Sequence, residues 1–420
     1  MEFRPAHSLP LRGPSSPART RSDVLEHPSE NQMGVNESDP FADDAKYSPQ
    51  FFATAAGSST ARSVLAMAID SKDTALVRDA IEALGMTVER GRMVAAGGRQ
   101  PLLECLRYPD RRAQYDTALV LGAAMPEKAF AGDNQVVPLL ANAIRATNDS
   151  YAAVVASTEE DRNSIASKLS KIGFSVIASG SSFYDLESEI NRANGIDLVI
   201  VQGDASTAVE AVGQVRNFAR TGATPVLLMN SGADKIAMDR EFAGDRGTAS
   251  FINGGTDAQF ESAVDALMSV AAGGRLTEAE SMTYTRNALQ TLAGIARSGT
   301  GVYSISDAES SLLAAMSTIS GGMRLLVAEV VSLVDSEASQ QSLLDAALAA
   351  GGNEQVALLD YAASSARSFG NKAADRQVDA LRRLIASSTG EGNARTADAA
   401  GRLYGSLDLS PDETVRLIAE

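Results

Sequence analysis

The chain has 420 residues, and its 53 acidic side chains against 37 basic ones leave a formal net charge of -16. Such a balance repels the phosphate backbone that supplies most non-specific nucleic-acid affinity, and it repels anionic membranes, so neither is expected as a partner. A 44% hydrophobic content suits a globular protein of about two or three domains, and the one cysteine, Cys105, excludes an intrachain disulfide and a multi-cysteine zinc site.

Residues 1–57 read as a disordered Pro-rich tail. They carry seven of the thirteen prolines and both histidines, His7 and His27. The rest of the chain therefore has no imidazole, which removes Ser-His-Asp and Cys-His nucleophile activation and His-ligated metals. The arginines Arg4, Arg12, Arg19 and Arg21 lack the apolar core of a secretory signal beside them, and no apolar run of about eighteen residues spans a bilayer. A cytoplasmic protein is expected.

Residues 58–148 have helical periodicity. Leu76, Val77, Ala80, Ile81 and Leu84 form one face of a helix that begins at Thr74, with Gly85 as its expected stop. A second unit follows: the helix-like Pro101–Arg107, then Tyr108-Pro109-Asp110 and an Ala-rich helix running to Leu121-Gly122. Cys105, among Leu102, Leu103 and Leu106, reads as a small core residue. Gly85 and Gly122 stand 37 residues apart, near the period of stacked helical pairs. A short helix, a Pro-Asp turn and an Ala-rich helix ending in Leu-Gly resemble a short HEAT repeat; an ordinary Ala-rich bundle is the competing reading. Val136–Arg145 is the expected next helix, covering the face the second pair leaves open.

Over 149–273 the period alternates between strand and helix five times. Strands are expected at Ala152–Ser157, Phe174–Ala178, Asp197–Val201, Pro225–Met229 and Ala249–Ile252. Between and after them come helices at Glu159–Lys171 and Phe183–Arg192, one with Val209, Val212, Val215 and Phe218 inward, a weak one around Ile236–Phe242, and one with Phe260, Val264 and Leu267. Alternation of this kind implies a parallel sheet with helices on both faces, and Leu198-Val199-Ile200-Val201 is continuously apolar, as a strand covered on both faces should be.

In the order of its elements this stretch resembles the receiver domain of bacterial two-component signalling, and the resemblance implies a doubly wound five-stranded parallel sheet of the receiver or flavodoxin-like kind. It also implies where the family's chemistry would lie. The acids that bind magnesium after strand one are replaced by Ala156 and Ser157, the phospho-acceptor aspartate by Gln202, the hydroxyl residue after strand four by Asn230, and the lysine after strand five by Asn253 or Gly254. Magnesium needs clustered oxygen anions and acyl-phosphate formation needs a carboxylate nucleophile, so the unit reads as phosphorylation-incompetent. Glu159, Glu160 and Asp161 read as helix-start charges and Asp204 as a loop carboxylate. What is left is a neutral polar crevice at the carboxyl ends of the strands, formed by Ser157, Thr158, Gln202, Asn230, Ser231 and Asn253. Open α/β sheets bind ligands at such a place.

Residues 274–420 are helical again, with expected helices at Glu278–Ser298, Ser306–Ile319, Gly322–Val334, Ser336–Ala350, Glu354–Ser368, Ala373–Ile385, Ala394–Leu407 and Pro411–Ala419. Short glycine-rich connections such as Gly351-Gly352 suit antiparallel neighbours in a HEAT-like stack or a bundle. The whole chain thus reads as α/β plus all-α: a central sheet flanked by HEAT-like helical domains. The expected function is a non-enzymatic scaffold or regulatory protein that binds another protein, with no cofactor and no metal. The competing reading is a sensory module whose crevice takes a small ligand; a carboxylate or lysine enzyme would need two acids converging in a cleft. The paired arginines Arg111 with Arg112 and Arg382 with Arg383 are the expected interface residues, exposed cations in an acidic chain.

Overall fold

The computed structural model describes residues 57–88, 93–94, 98–145, 149–299, 301–387 and 394–409. All of them belong to one unit, Ala53–Glu420. The expected N-terminal tail, apart from Gly57, and the expected helix Pro411–Ala419 lie outside the described residues.

Helices α1 (Ser58–Ser71) and α2 (Thr74–Thr87) pack against each other. Asp73 starts α2 by accepting the Leu76 N–H at 3.1 Å, which satisfies one of the donors a helix start leaves open. A single turn, α3 (Pro101–Glu104), runs into a 3-10 turn at Cys105–Arg107. Then come α4 (Arg111–Ala124) and α5 (Asp133–Ile144). Asp110 caps α4, accepting from the N–H groups of Arg112 and Ala113 at 2.9 and 3.0 Å. Cys105 is fully buried among these helices.

Neither Gly85 nor Gly122 ends its helix. Helix α2 continues to Thr87, and α4 continues to Ala124 before Met125 adopts a left-handed conformation. Their role is close approach. A Cβ on Gly85 would lie 3.0 Å from Val120 Cγ2, and one on Gly122 would lie 2.6 Å from Thr291 Cγ2. The repeated spacing therefore marks two helix crossings rather than two stops.

Five strands follow: β1 (Ser150–Ala156), β2 (Phe174–Gly180), β3 (Leu198–Gln202), β4 (Val226–Asn230) and β5 (Thr248–Ile252). They form one all-parallel sheet in the order β2-β1-β3-β4-β5. The connecting helices are α6 (Glu159–Lys171), α7 (Glu187–Arg192, after a 3-10 turn at Phe183–Leu186), α8 (Ala205–Asn217), α9 (Gly232–Glu241) and α10 (Asp257–Ala272). Alternate strand residues feed two separate cores, as a pleated sheet requires. Val154, Leu198, Ile200 and Leu227 pack with Ile165 and Leu169 of α6 and Phe260 and Val264 of α10. Val155, Val199, Val201 and Leu228 pack with Ile190 of α7, Val212 and Val215 of α8 and Met238 of α9. The buried face of α8 is Ala208, Ala211, Val212 and Val215; Val209, expected inward, is one position off that face and exposed.

The long α11 (Glu278–Ser298) returns the chain to the first helices, packing on α4 and α5. After a 3-10 turn at Ile305–Ala308 come α12 (Glu309–Thr318), α13 (Gly321–Val331), α14 (Glu337–Ala349), α15 (Gly352–Phe369), α16 (Asp375–Ser387) and α17 (Ala394–Ser406). Each packs mainly on near neighbours. One apolar core runs from Ala61 and Leu65 through Leu121, Leu140 and Leu292 to Leu358 and Leu403. The helices before and after the sheet therefore share a single core, and the α/β unit is inserted between them.

Candidate functional site

Strand register brings the expected crevice residues to one edge. Ala156 pairs with Gln202, Gln202 with Met229, and Asn230 with Ile252, so β1, β3, β4 and β5 end at a common level. Most of the polar groups there are already engaged. Thr158 starts α6: its hydroxyl accepts the Asp161 N–H at 3.1 Å and donates to the Asp161 carboxylate at 2.6 Å. Ser231 does the same for α9, accepting from Asp234 N–H at 3.3 Å and donating to its carboxylate at 2.7 Å. Ser157 and Asn253 are exposed. Hydrogen bonds from Thr158 and then Gln202 hold the Asp161 carboxyl below its ordinary range.

Two features of this edge escape sequence reading. Arg162, one residue past the helix-start acids, folds back so that its Nη1 donates to the Ala156 carbonyl at 2.8 Å and lies 3.4 Å from that of Ser157. A fixed cation thus sits on the end of β1, where it opposes binding of a divalent metal. Asn230 is fully buried; its Nδ2 donates to the Gly203 carbonyl at 2.9 Å, while its Oδ1 has no partner. An orphaned buried acceptor of this kind is uncommon and calls for a donor. Asp204 caps α8, accepting the Thr207 N–H at 2.8 Å, which with other local hydrogen bonds lowers its pKa. Among the described residues no three His, Cys, Asp or Glu side chains converge as metal ligands.

The opposite, amino edge of the sheet rests on the helical body. Here the expected interface arginines are corrected: Arg111 and Arg112 are buried, at 5% and 3% exposure. They occupy the first turn of α4, which points into the sheet edge, and their charges are consumed there. Arg111 meets Asp197 in two-point geometry, Nε to Oδ1 at 3.2 Å and Nη2 to Oδ2 at 3.1 Å, and also donates to the Asp149 carbonyl at 2.5 Å. Its guanidinium lies over the Tyr151 ring, 5.3 Å from the centroid. Asp197 accepts in addition from the Tyr151 N–H at 2.7 Å. Arg112 donates to the carbonyls of Ala272 and Gly274, at the end of α10. Arg382, expected to be exposed, is 12% exposed beside Asp379, 3.2 Å away, whereas Arg383 faces solvent.

Further contacts extend this seam. Lys72 Nζ donates to the Arg216 carbonyl at 3.1 Å, and Arg246 pairs with Asp73 at 2.6 Å. Behind them a network links three helices of the body. Arg78 of α2 bonds Asp116 of α4 at 2.9 Å and Glu280 of α11 at 2.8 Å, and the Tyr284 hydroxyl donates to Asp116 at 2.7 Å. A groove of about 520 Å³ opens along the seam, between the 3-10 turn, α4 and α5 on one side and the loops that enter β3 and β4 on the other.

Among the described residues no helix is long and apolar enough to cross a membrane. The chain matches no family model and no curated protein.

Proposed function

We propose that this protein is a non-enzymatic scaffold or regulatory protein whose inserted α/β unit is a phosphorylation-incompetent relative of receiver domains, carried by a HEAT-like helical body that binds another protein in the cytoplasm. The strand order and the helices on both faces of the sheet are those the receiver resemblance implies, and helices packed mainly on near neighbours suit a repeat stack. The observation that carries the reading is at the end of β1: Ala156 and Ser157 stand where acids would be, and the Arg162 guanidinium rests on their carbonyls. Gln202, across from Ala156, offers an amide in place of a carboxylate nucleophile.

Two measurements test this. The protein incubated with acetyl phosphate and magnesium should keep its intact mass; a hydroxylamine-labile addition of one phosphoryl group, at Asp204 or Asp161, would refute the reading of an inactive receiver. Affinity purification of the intact chain from its native cell should recover a partner at a fixed ratio. Recovery of the chain alone at every salt concentration would count against a scaffold.

A second reading, a small-ligand sensor, is favoured by one observation, the unpartnered Oδ1 of Asn230. A ligand with a hydrogen-bond donor would satisfy it. Loss of such binding in Asn230→Leu, with the fold retained, would support this reading.

A further inference from the structure

The groove at the seam is opposite in charge to the chain that contains it. In a protein of net charge -16, no carboxylate lies among the described residues that line it, while an arginine stands on each side. Arg107 belongs to the helical body and Arg220 to the loop that enters β4. Both are exposed, and among the described residues neither pairs with an acid. With the Gln135 carboxamide turned so that its oxygen faces Arg107, that oxygen accepts from Nη2 and Nε at 2.9 and 3.1 Å, which leaves Nη1 without a hydrogen-bond partner among the described residues. Arg220 donates one bond to the Ala193 carbonyl at 2.5 Å, and its other donors have no partner among the described residues.

Between the arginines the lining is of two kinds. Carboxamides come from both sides: Gln114 and Asn142 from α4 and α5, Asn194 from the loop before β3. The Gln114 amide donates to the Tyr108 carbonyl at 2.6 Å, and its oxygen remains an acceptor. Apolar surface is supplied by the half-buried Pro138 and Leu139; Leu106 and Ile196 also line the groove but are buried. The volume, about 520 Å³, is within the range of ligand-binding clefts.

We propose that this groove is a docking site for a short acidic peptide segment of a partner protein. Each part of the lining then has a counterpart. Acidic side chains meet the planar forks of Arg107 and Arg220. Backbone N–H and C=O groups meet the carboxamides, which carry both donors and acceptors. Apolar side chains cover Pro138 and Leu139. A free inorganic anion would engage an arginine and leave the other groups unmatched. Because the two arginines belong to different parts of the fold, the occupant bridges the helical body and the α/β unit and holds the seam closed. This rests on the reading of the protein as an interaction protein and names the chemistry of the partner.

The test is a selection of phage-displayed random dodecapeptides on the immobilised full chain. Enriched peptides should contain two or more Asp or Glu residues. Synthetic copies should raise the thermal midpoint of the wild-type chain and lose on the order of tenfold or more in affinity for Arg107→Glu with Arg220→Glu. Both positions are exposed, so the variant should melt like wild type; if it does not, Arg107→Gln with Arg220→Gln gives the same reading with a smaller loss. Three results would overturn the proposal: no acidic enrichment, equal affinity for a folded double variant, or free citrate binding as tightly as the peptides, which would mark a small-anion site. None of these depends on recovering a partner from the cell, so failure here leaves the purification result separately readable.

Discussion

Removing the guanidinium of Arg111 while keeping its bulk, as in Arg111→Met, tests whether the seam is held by buried charge. Asp197 has 13% of its side chain exposed and faces Arg111 at 5%. Burial pushes its carboxyl above the ordinary range, with Arg111 and then the Tyr151 N–H acting in the other direction. Without the arginine, a desolvated carboxylate keeps only the backbone bond from Tyr151, and breaking a buried pair by deleting one partner costs about 3–5 kcal/mol. Urea unfolding near pH 7 should show a loss of that size. Asp197, lacking its cation, would bind a proton in the folded state at a pH where the unfolded chain does not. The folded form then gains stability as pH falls toward the ordinary carboxylate pKa, so the loss must shrink in weak acid. The double variant Arg111→Met with Asp197→Asn keeps an acceptor for Tyr151 and carries no charge, and should recover most of the loss. A loss below about 1 kcal/mol for Arg111→Met, or one of constant size from pH 7 to pH 5, would refute the argument, because a solvated surface pair behaves that way.

Gly122→Ala should destabilise by about 1–3 kcal/mol, since its Cβ would stand 2.6 Å from Thr291 Cγ2; Thr291→Ser, which deletes that methyl, should relieve most of the loss in a double-variant melt. Burial raises the Asp245 carboxyl, but the Thr248 hydroxyl at 2.7 Å, the Arg216 guanidinium at 3.1 Å and the Gly247 N–H at 2.8 Å together hold it below its ordinary range. Its contribution is therefore fully present above the unfolded carboxylate pKa, about 3.9, and is lost as pH falls through the lower folded value. The stability of wild type relative to Asp245→Asn should fall over that acidic window and stay flat above it. Burial also pushes the Cys105 thiol up to about 12. Iodoacetamide at pH 8 should then label the native chain only as fast as it opens, and a rapid stoichiometric phase would show that the thiol is accessible.

How much of this could be read in advance depends on how local each cause is. Helices α6 and α11 have the expected bounds, Glu159–Lys171 and Glu278–Ser298, because Thr158 and Thr277 cap them and acids fill their first turns. The continuously apolar run of β3 announced a strand covered on both faces, and it is buried from Leu198 to Val201. The misreadings concern residues whose role is set by a distant partner. Gly122 resembles a helix stop until Thr291 of α11 is placed against it. Arg111 and Arg112 look like exposed interface cations until Asp197 and the end of α10 arrive beside them. At the carboxyl edge, the expected residues lie at or just past the strand ends, but the sequence carries no sign that Arg162 turns back onto β1 or that Asn230 Oδ1 is left without a donor.

The shared helical core changes what the inserted unit can do. Thr285 of α11 has its hydroxyl 3.5 Å from the carbonyls of Ala143 and Ile144 at the end of α5, so the helices on either side of the insertion are joined at its base. The α/β unit is then held further at Lys72 and Asp73 before α2, which meet the Arg216 carbonyl and Arg246, and at the first turn of α4, where Arg111 meets Asp197 and Arg112 the carbonyls of Ala272 and Gly274. A ligand that binds the sheet at its open carboxyl edge touches none of these and has no direct means of favouring one seam geometry over another. An occupant of the groove touches both sides of the seam at once, and its affinity depends on their separation. If the protein transmits a signal between its parts, the seam is where binding and geometry are physically coupled, and the carboxyl edge, where the family resemblance would place the chemistry, is the less direct place to look.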